Sequence, residues 1–185
     1  MDAFESRAPL LPEILALHGR WRRGREAVVC GSRREHWDEF AATLHRFGGA
    51  LHAHGVGARD RVAVLMSNGL PMVHALFGTL DAGAVSVPLN TSISDDALLA
   101  MLRDAGASAI VATADQRPRI DALRDRLGSA ARLYLLADGA APGWVAWAPA
   151  QPMAAQGFWI SLIVGLTIAA LGLRLAEHLG SADNV

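Results

Sequence analysis

Apolar positions between residues 37 and 136 recur in two alternating rhythms. Trp37, Phe40, Leu44, Phe47 and Leu51 fall three and four apart, the spacing that gathers side chains along one stripe of a helix. Asp38 and Glu39 sit where its first turn would meet the positive end of the helix dipole, and Gly55 supplies a stop. The run from Arg61 to Met66 is short and continuously apolar after its first residue, which predicts a buried strand. Asn68, Gly69 and Pro71 then open a second helix, because proline is tolerated in a first turn. That helix is expected to bury Val73, Leu76, Phe77 and Leu80 and to end at Gly83.

The same sequence of elements repeats. Val85 to Val87 predicts a short strand closed by Pro88, which has no N–H to give a sheet. Ser94 is placed to cap a third helix with Asp95 and Asp96 in its first turn, Leu98, Leu102 and Ala105 on its dry side, and Gly106 at its end. Ala109 to Ala112 predicts a strand, Ile120, Leu123 and Leu127 a helix stopped by Gly128, and Arg132 to Leu136 a further strand. Strands alternating with helices are the signature of βαβ units, so the fold class is α/β with a parallel sheet and helices on both faces.

From residue 138 to 156 the chain is rich in Ala, Pro and Gly and predicts a linker, with Trp144 and Trp147 exposed or half-packed. Beyond it, 157–173 is almost wholly apolar, and no charged residue occurs between Asp138 and Arg174. A run of about 20 such residues matches the hydrocarbon thickness of a bilayer, and its apolar character continues all round the helix. Phe158 and Trp159 suit one interface, and Arg174 and His178 the other. The expected organisation is therefore a 1–137 α/β subdomain, a 138–156 linker, a 157–173 transmembrane helix and a 174–185 polar tail. Arg174 alone would place the C-terminus in the cytoplasm. A long N-terminal domain with no secretory signal favours a tail-anchored, single-pass arrangement with that domain cytoplasmic, and this argument weighs more.

Charge changes the picture mainly by exclusion. The chain has 185 residues with 17 basic against 18 acidic side chains, so no net field draws it to nucleic acid. All 17 basic residues are arginine; there is no lysine. The single cysteine, Cys30, has no internal disulfide partner and is expected to be a small buried side chain in a strand.

Three segments carry a resemblance to a known family. They are His54-Gly-Val-Gly-Ala-Arg-Asp-Arg-Val-Ala-Val-Leu-Met-Ser-Asn68, Thr79-Leu-Asp-Ala-Gly-Ala-Val-Ser-Val-Pro-Leu-Asn90 and Leu102-Arg-Asp-Ala-Gly-Ala107, in this order and spacing. With the Trp37 to Leu51 helix before them, they resemble the N-terminal part of the adenylate-forming (AMP-binding) acyl-CoA synthetase family over residues 8–155. The resemblance implies an N-terminal subdomain of an acyl-adenylating ligase, whose full-length form uses ATP, Mg²⁺ and coenzyme A. It also implies that Gly55, Gly57, Gly83, Gly106 and Pro88 are turn and strand-end residues rather than chemical groups.

The family's Ser/Thr/Gly-rich phosphate loop, ending in Pro-Lys-Gly, is expected soon after Trp147. Residues 157–165 read Gly-Phe-Trp-Ile-Ser-Leu-Ile-Val-Gly instead. Adenylation needs donors around a triphosphate and a cation at the developing charge, for which the family uses a lysine. The expectation is thus a truncated, membrane-anchored module, inactive in adenylation by itself, with no catalytic or metal-binding residue and no cofactor for this chain alone. Gly157-Phe-Trp and Val164 to Arg174 resemble the last helix of multidrug and toxin extrusion transporters, although one helix cannot form a transport path. The alternatives are a noncatalytic membrane-anchored interaction module, binding a partner or a second copy through its incomplete subdomain, or a truncation or fusion product.

Other candidate groups read as surface. His36, His45, His52 and His54 cluster on one helix without an evident third ligand or second shell. Arg20, Arg22, Arg23 and Arg25 flank Trp21 but form no nucleic-acid motif. Asp115, Asp121 and Asp125 alternate with Arg117, Arg119, Arg124 and Arg126, which predicts an exposed helix with local ion pairs. No Gly-x-Gly-x-x-Gly, phosphate-binding loop or nucleophile elbow occurs.

Overall fold

The structure, a computed structural model, describes residues 9–147, which belong to a single unit. The expected transmembrane helix, polar tail and transporter-like segment all fall outside the described residues, as does the 148–156 part of the expected linker. Among the described residues no helix is long and apolar enough to cross a membrane.

The strand-forming runs pair as the alternation predicts. β3 (Arg61–Leu65), β4 (Val85–Pro88), β5 (Ala109–Ala112), β6 (Leu133–Leu136) and β7 (Val145–Ala146) make one sheet in the order β4-β3-β5-β6-β7. All four pairings are parallel. Side chains alternate across such a sheet, so each strand supplies two cores. Val62, Val64 and Met66, Ala109 and Val111, and Leu133 and Leu135 join Phe47 and Leu51 of α2 (Trp37–Ala53) and Ala75 of α3 (Leu70–Asp81). Ala63 and Leu65, Ile110 and Ala112, and Leu136 join Leu98, Leu99 and Leu102 of α4 (Asp95–Asp104). Ile120, Leu123 and Leu127 of α5 (Arg117–Leu127) complete that second face.

The sequence rhythm does not reveal the elements ahead of α2. Helix α1 (Leu11–Trp21) and the antiparallel hairpin of β1 (Glu26–Cys30) and β2 (Arg33–His36) pack on α2 and α3. The hairpin is pinned by a buried polar contact: His74 Nε2 donates to Glu35 Oε2 at 2.6 Å, while the Thr43 hydroxyl donates to Glu35 Oε1. Cys30 does lie in a strand, but at its end and exposed. A short two-stranded ribbon covers only one of its faces, so the expected burial of Cys30 is not met.

Helix α3 buries a different face from the one its large residues mark. Leu70, His74, Ala75, Gly78 and Thr79 are buried, whereas Val73, Leu76, Phe77 and Leu80 are only partly so. The cause is close packing against α2. A Cβ at Gly78 would lie 2.6 Å from Phe47 Cβ, and one at Gly48 would lie 3.1 Å from the Ala82 nitrogen. Small residues occupy the contact line, and the large ones turn to its flanks.

Residues 138–147 are not a free linker. β7 extends the sheet beside β6, and Trp144 and Trp147 are 8% and 7% exposed rather than exposed or half-packed. Trp147 meets Phe47 edge-on at 4.9 Å. The Trp144 indole N–H donates to Asp121 Oδ1 at 2.8 Å, and its ring stands edge-on to Tyr134. Two long apolar side chains thus overrule the flexible composition around them.

Replacing Gly78 by valine forces α2 and α3 apart. The expected cost is about 1–3 kcal/mol, seen as a lower urea midpoint with an unchanged slope.

Candidate functional site

In an open parallel sheet the natural ligand crevice lies beyond the carboxyl ends of neighbouring strands whose following helices leave on opposite faces. β3 and β5 are such a pair, since α3 covers one face and α5 the other. Ser67, Asn68 and Gly69 follow β3, while Thr113, Ala114, Asp115 and Gln116 follow β5. Asp138, after β6, accepts from the Ala114 N–H at 2.7 Å and ties the adjacent loop down. The Thr113 hydroxyl and the Gln116 amide hold the Asp115 carboxyl below the usual range, outweighing the opposing effect of burial. The loops after β3, β5 and β6 therefore present hydroxyls, amides and two carboxylates but no arginine. A triphosphate placed there would need its cationic partners from other residues.

A small cavity of about 20 Å³ lies between the start of α3 and the end of β6, lined by Arg33, Leu70, Pro71, His74, Ala137 and Trp147. That is room for about one water. A wider open cleft of about 550 Å³ lies at the opposite, amino end of the sheet. His54, Arg124, Arg132, Tyr134 and Trp144 line it, but its cations are already engaged. Arg132 donates to Asp60 Oδ2 and to the Gly55 carbonyl. Arg124 lies over the Tyr134 ring at 3.8 Å and pairs with Asp121 at 3.0 Å. Burial pushes the Tyr134 phenol up, against the opposing charge of Arg124.

The remaining sequence-nominated groups are dispersed. His45 contacts Asp81 at 3.2 Å, His54 bonds the Ala50 carbonyl, and His36 lies 3.5 Å from Glu39. Among the described residues no three His, Cys, Asp or Glu side chains are grouped to hold a metal. The expected local pairing along α5 holds only in part. Arg124 and Arg117 reach Asp121, but Arg119 donates to Asp95 at 2.6 Å and to the Thr91 and Ile93 carbonyls. Arg126 donates to Asp96. These arginines fasten the start of α4 to α5, which period alone cannot reveal. Gly55, Gly83 and Gly106 all have positive φ, near 74°, 71° and 58°, so these three resemblance-bearing glycines are backbone turns.

An AMP-binding enzyme family model matches residues 17–158. The chain belongs to the AMP-binding enzyme family. It is 41% identical over 78 residues to the 3-hydroxybenzoate–CoA/4-hydroxybenzoate–CoA ligase of Thauera aromatica, covering 42% of this chain and 15% of that protein. It is 30% identical over 138 residues to the indoleacetate–CoA ligase of Aromatoleum aromaticum, covering 74% of this chain and 26% of that one. The N-terminal domain of FACL13 from Mycobacterium tuberculosis superposes with a TM-score of 0.65 and 26% identity, covering 70% of this chain and 34% of that structure. The chain thus spans a minor part of the AMP-binding relatives it matches, and its fold is that of the N-terminal subdomain of acyl-CoA ligases.

Asp60 is the clearest titrating anchor of this AMP-binding scaffold. The Gly57 N–H, at 3.0 Å, and then Arg132 hold its carboxyl below the usual range, with burial opposing. A depressed folded-state pKa stabilises the fold above the unfolded value of about 3.9 and is lost as pH falls through the folded one. Asp60→Asn is expected to lower the melting temperature at about pH 6, with the gap to the parent closing near pH 3.

Proposed function

We propose that this chain is the N-terminal scaffold portion of a carboxylate–CoA ligase-type adenylating module and does not adenylate by itself. One observation supports the reading: Gly55, Gly83 and Gly106 of the family-matching segments sit at positive φ as backbone turns, and Pro88 ends a strand. The absence of lysine from all 185 residues supports it, as does the lack of any arginine in the loops after β3, β5 and β6. In-line displacement at an α-phosphate develops charge that such a rim cannot stabilise.

Isothermal titration of the full chain with ATP and Mg²⁺, in mild detergent, is expected to show no saturable heat. Pyrophosphate exchange with benzoate as acyl substrate is expected to stay at background. Saturable ATP binding would overturn the scaffold reading and direct attention to the arginine-lined cleft near Tyr134.

We further propose that 157–173 anchors the chain in a bilayer as a single pass, with the α/β unit on the cytoplasmic side. Its uncharged length supports this. The full chain is expected to stay with membranes through alkaline carbonate extraction. The double substitution Leu166→Arg and Thr167→Arg is expected to release it, because each central arginine costs about 2.5–3.5 kcal/mol of insertion free energy. Release of the unsubstituted chain would sink the anchor.

A further inference from the structure

Helix α1 has two apolar faces, and the described residues cover only one. Leu15 and Gly19 are its buried residues. A Cβ at Gly19 would lie 2.6 Å from Ala41 Cβ, and His18 rests against Trp37 with ring centroids 4.7 Å apart. These contacts set the rotation of the helix on α2. Leu10, Ile14, Leu17 and Trp21 follow one another at spacings of four, three and four, so they share the outward face. Ile14 is partly buried, but Leu10 is 53%, Leu17 38% and Trp21 80% exposed. A tryptophan that open, in line with two leucines, is, among the described residues, an unpartnered apolar stripe rather than scattered surface residues.

The charge around that stripe is one-sided. Between residues 9 and 36 there are six arginines against three glutamates, although the whole chain is slightly acidic. Arg20, Arg22, Arg23 and Arg25 crowd the end that carries Trp21, and all four are exposed. The acidic groups that face this segment are few and occupied. Glu13 accepts from the Leu10 N–H, Asp38 accepts from the Gly24 N–H beside Arg23, and Glu26 pairs with Arg34.

We propose that the outer face of α1 docks on an anionic lipid bilayer, with Leu10, Leu17 and Trp21 at the headgroup boundary and Arg20, Arg22 and Arg23 among the lipid phosphates. Exposed leucines and a tryptophan beside clustered arginines form the pattern of a helix that lies in the plane of a membrane surface. Indole suits that boundary because one ring carries both an apolar body and an N–H donor. Charge complementarity selects lipid phosphate over a neutral surface, each arginine near such a surface adding to the attraction. The arginine patch, expected from the sequence to be merely solvated, thereby acquires a partner. This proposal stands on α1 alone and does not require 157–173 to span the bilayer.

The test uses the full chain with Cys30→Ser and Leu17→Cys, labelled at position 17 with an environment-sensitive nitrobenzoxadiazole dye. A second sample carries the label at Ser129→Cys, an exposed position between α5 and β6. Each is reconstituted in neutral phosphatidylcholine vesicles and in vesicles with about one-third phosphatidylglycerol. The expected result is blue-shifted, lipid-quenchable emission at position 17 in the anionic vesicles only, with position 129 remaining water-like. Arg22→Glu with Arg23→Glu should abolish the shift. Water-like emission at position 17 in both vesicle types overturns the proposal, and so does an equal shift in both. A shift that instead rises with protein-to-lipid ratio in neutral vesicles overturns it in favour of a second copy of the chain. Carbonate extraction of the same samples reports on 157–173 separately. Release with the anionic shift retained sinks the spanning anchor and leaves the α1 surface standing.

Discussion

Everything in the described unit depends on covering both faces of a five-stranded parallel sheet. Parallel strands are joined by helical crossovers, so neither face can be left to water without exposing a row of apolar side chains. β3 carries the heaviest share of this constraint. Its Val62 and Val64 look toward α2 and α3, its Ala63 and Leu65 look toward α4 and α5, and β4 and β5 flank it. Truncating a fully buried leucine such as Leu65 or Leu98 to alanine removes about 2–5 kcal/mol, a large fraction of the stability a domain of this size possesses. The close approach of α2 and α3 at Gly48 and Gly78 serves the same end, bringing α2 near enough for Phe47 and Leu51 to reach the sheet.

That constraint explains which features the sequence revealed. Strands β3 to β6 and helices α2 to α5 could be read because burial on the sheet imposes a period, and Gly55, Gly83, Gly106 and Gly128 mark where each helix stops. Elements outside the double-sided core left no such trace. The hairpin is half exposed, and its Glu35 is fastened by His74, 39 residues away, and by the Thr43 hydroxyl. β7 is two residues long, too short for any period, and its docking rests on Trp144 and Trp147 finding Asp121, Tyr134 and Phe47. Hydrophobicity alone points to the wrong face of α3, because it marks which residues can be buried, whereas close helix packing decides which ones are.

The candidate site was legible only as an architecture. The family resemblance reached the correct subdomain through glycines and a proline that shape turns, and turn residues say little about chemistry. The crevice between β3 and β5 follows from strand order, which emerges only when β4 and β5 are seen on opposite sides of β3. Its carboxylates, Asp115 and Asp138, come from loops 23 positions apart, with Asp138 reaching back to the Ala114 N–H. No spacing rule links them.

The arginines separate into two populations by what surrounds them, and this bears on function more than their number does. Arg119, Arg124, Arg126 and Arg132 are held by carboxylates, carbonyls or ring faces, so each would have to break existing contacts to bind a new anion. Such pairs have limited stabilising value where they are half exposed, but they fix α4, α5 and β6 relative to one another. Arg20, Arg22, Arg23 and Arg25 lie instead on an exposed helix end whose neighbouring carboxylates are already engaged by backbone N–H groups or by Arg34. Among the described residues none of these arginine side chains is hydrogen-bonded to a carboxylate, and Trp21 stands beside them with an exposed apolar ring. The loops after β3, β5 and β6 offer an anion less, because the charged residues they contain are Asp115 and Asp138. The free energy available for a new contact is therefore concentrated at the outer edge of the fold, away from the crevice where a parallel sheet ordinarily receives its ligand.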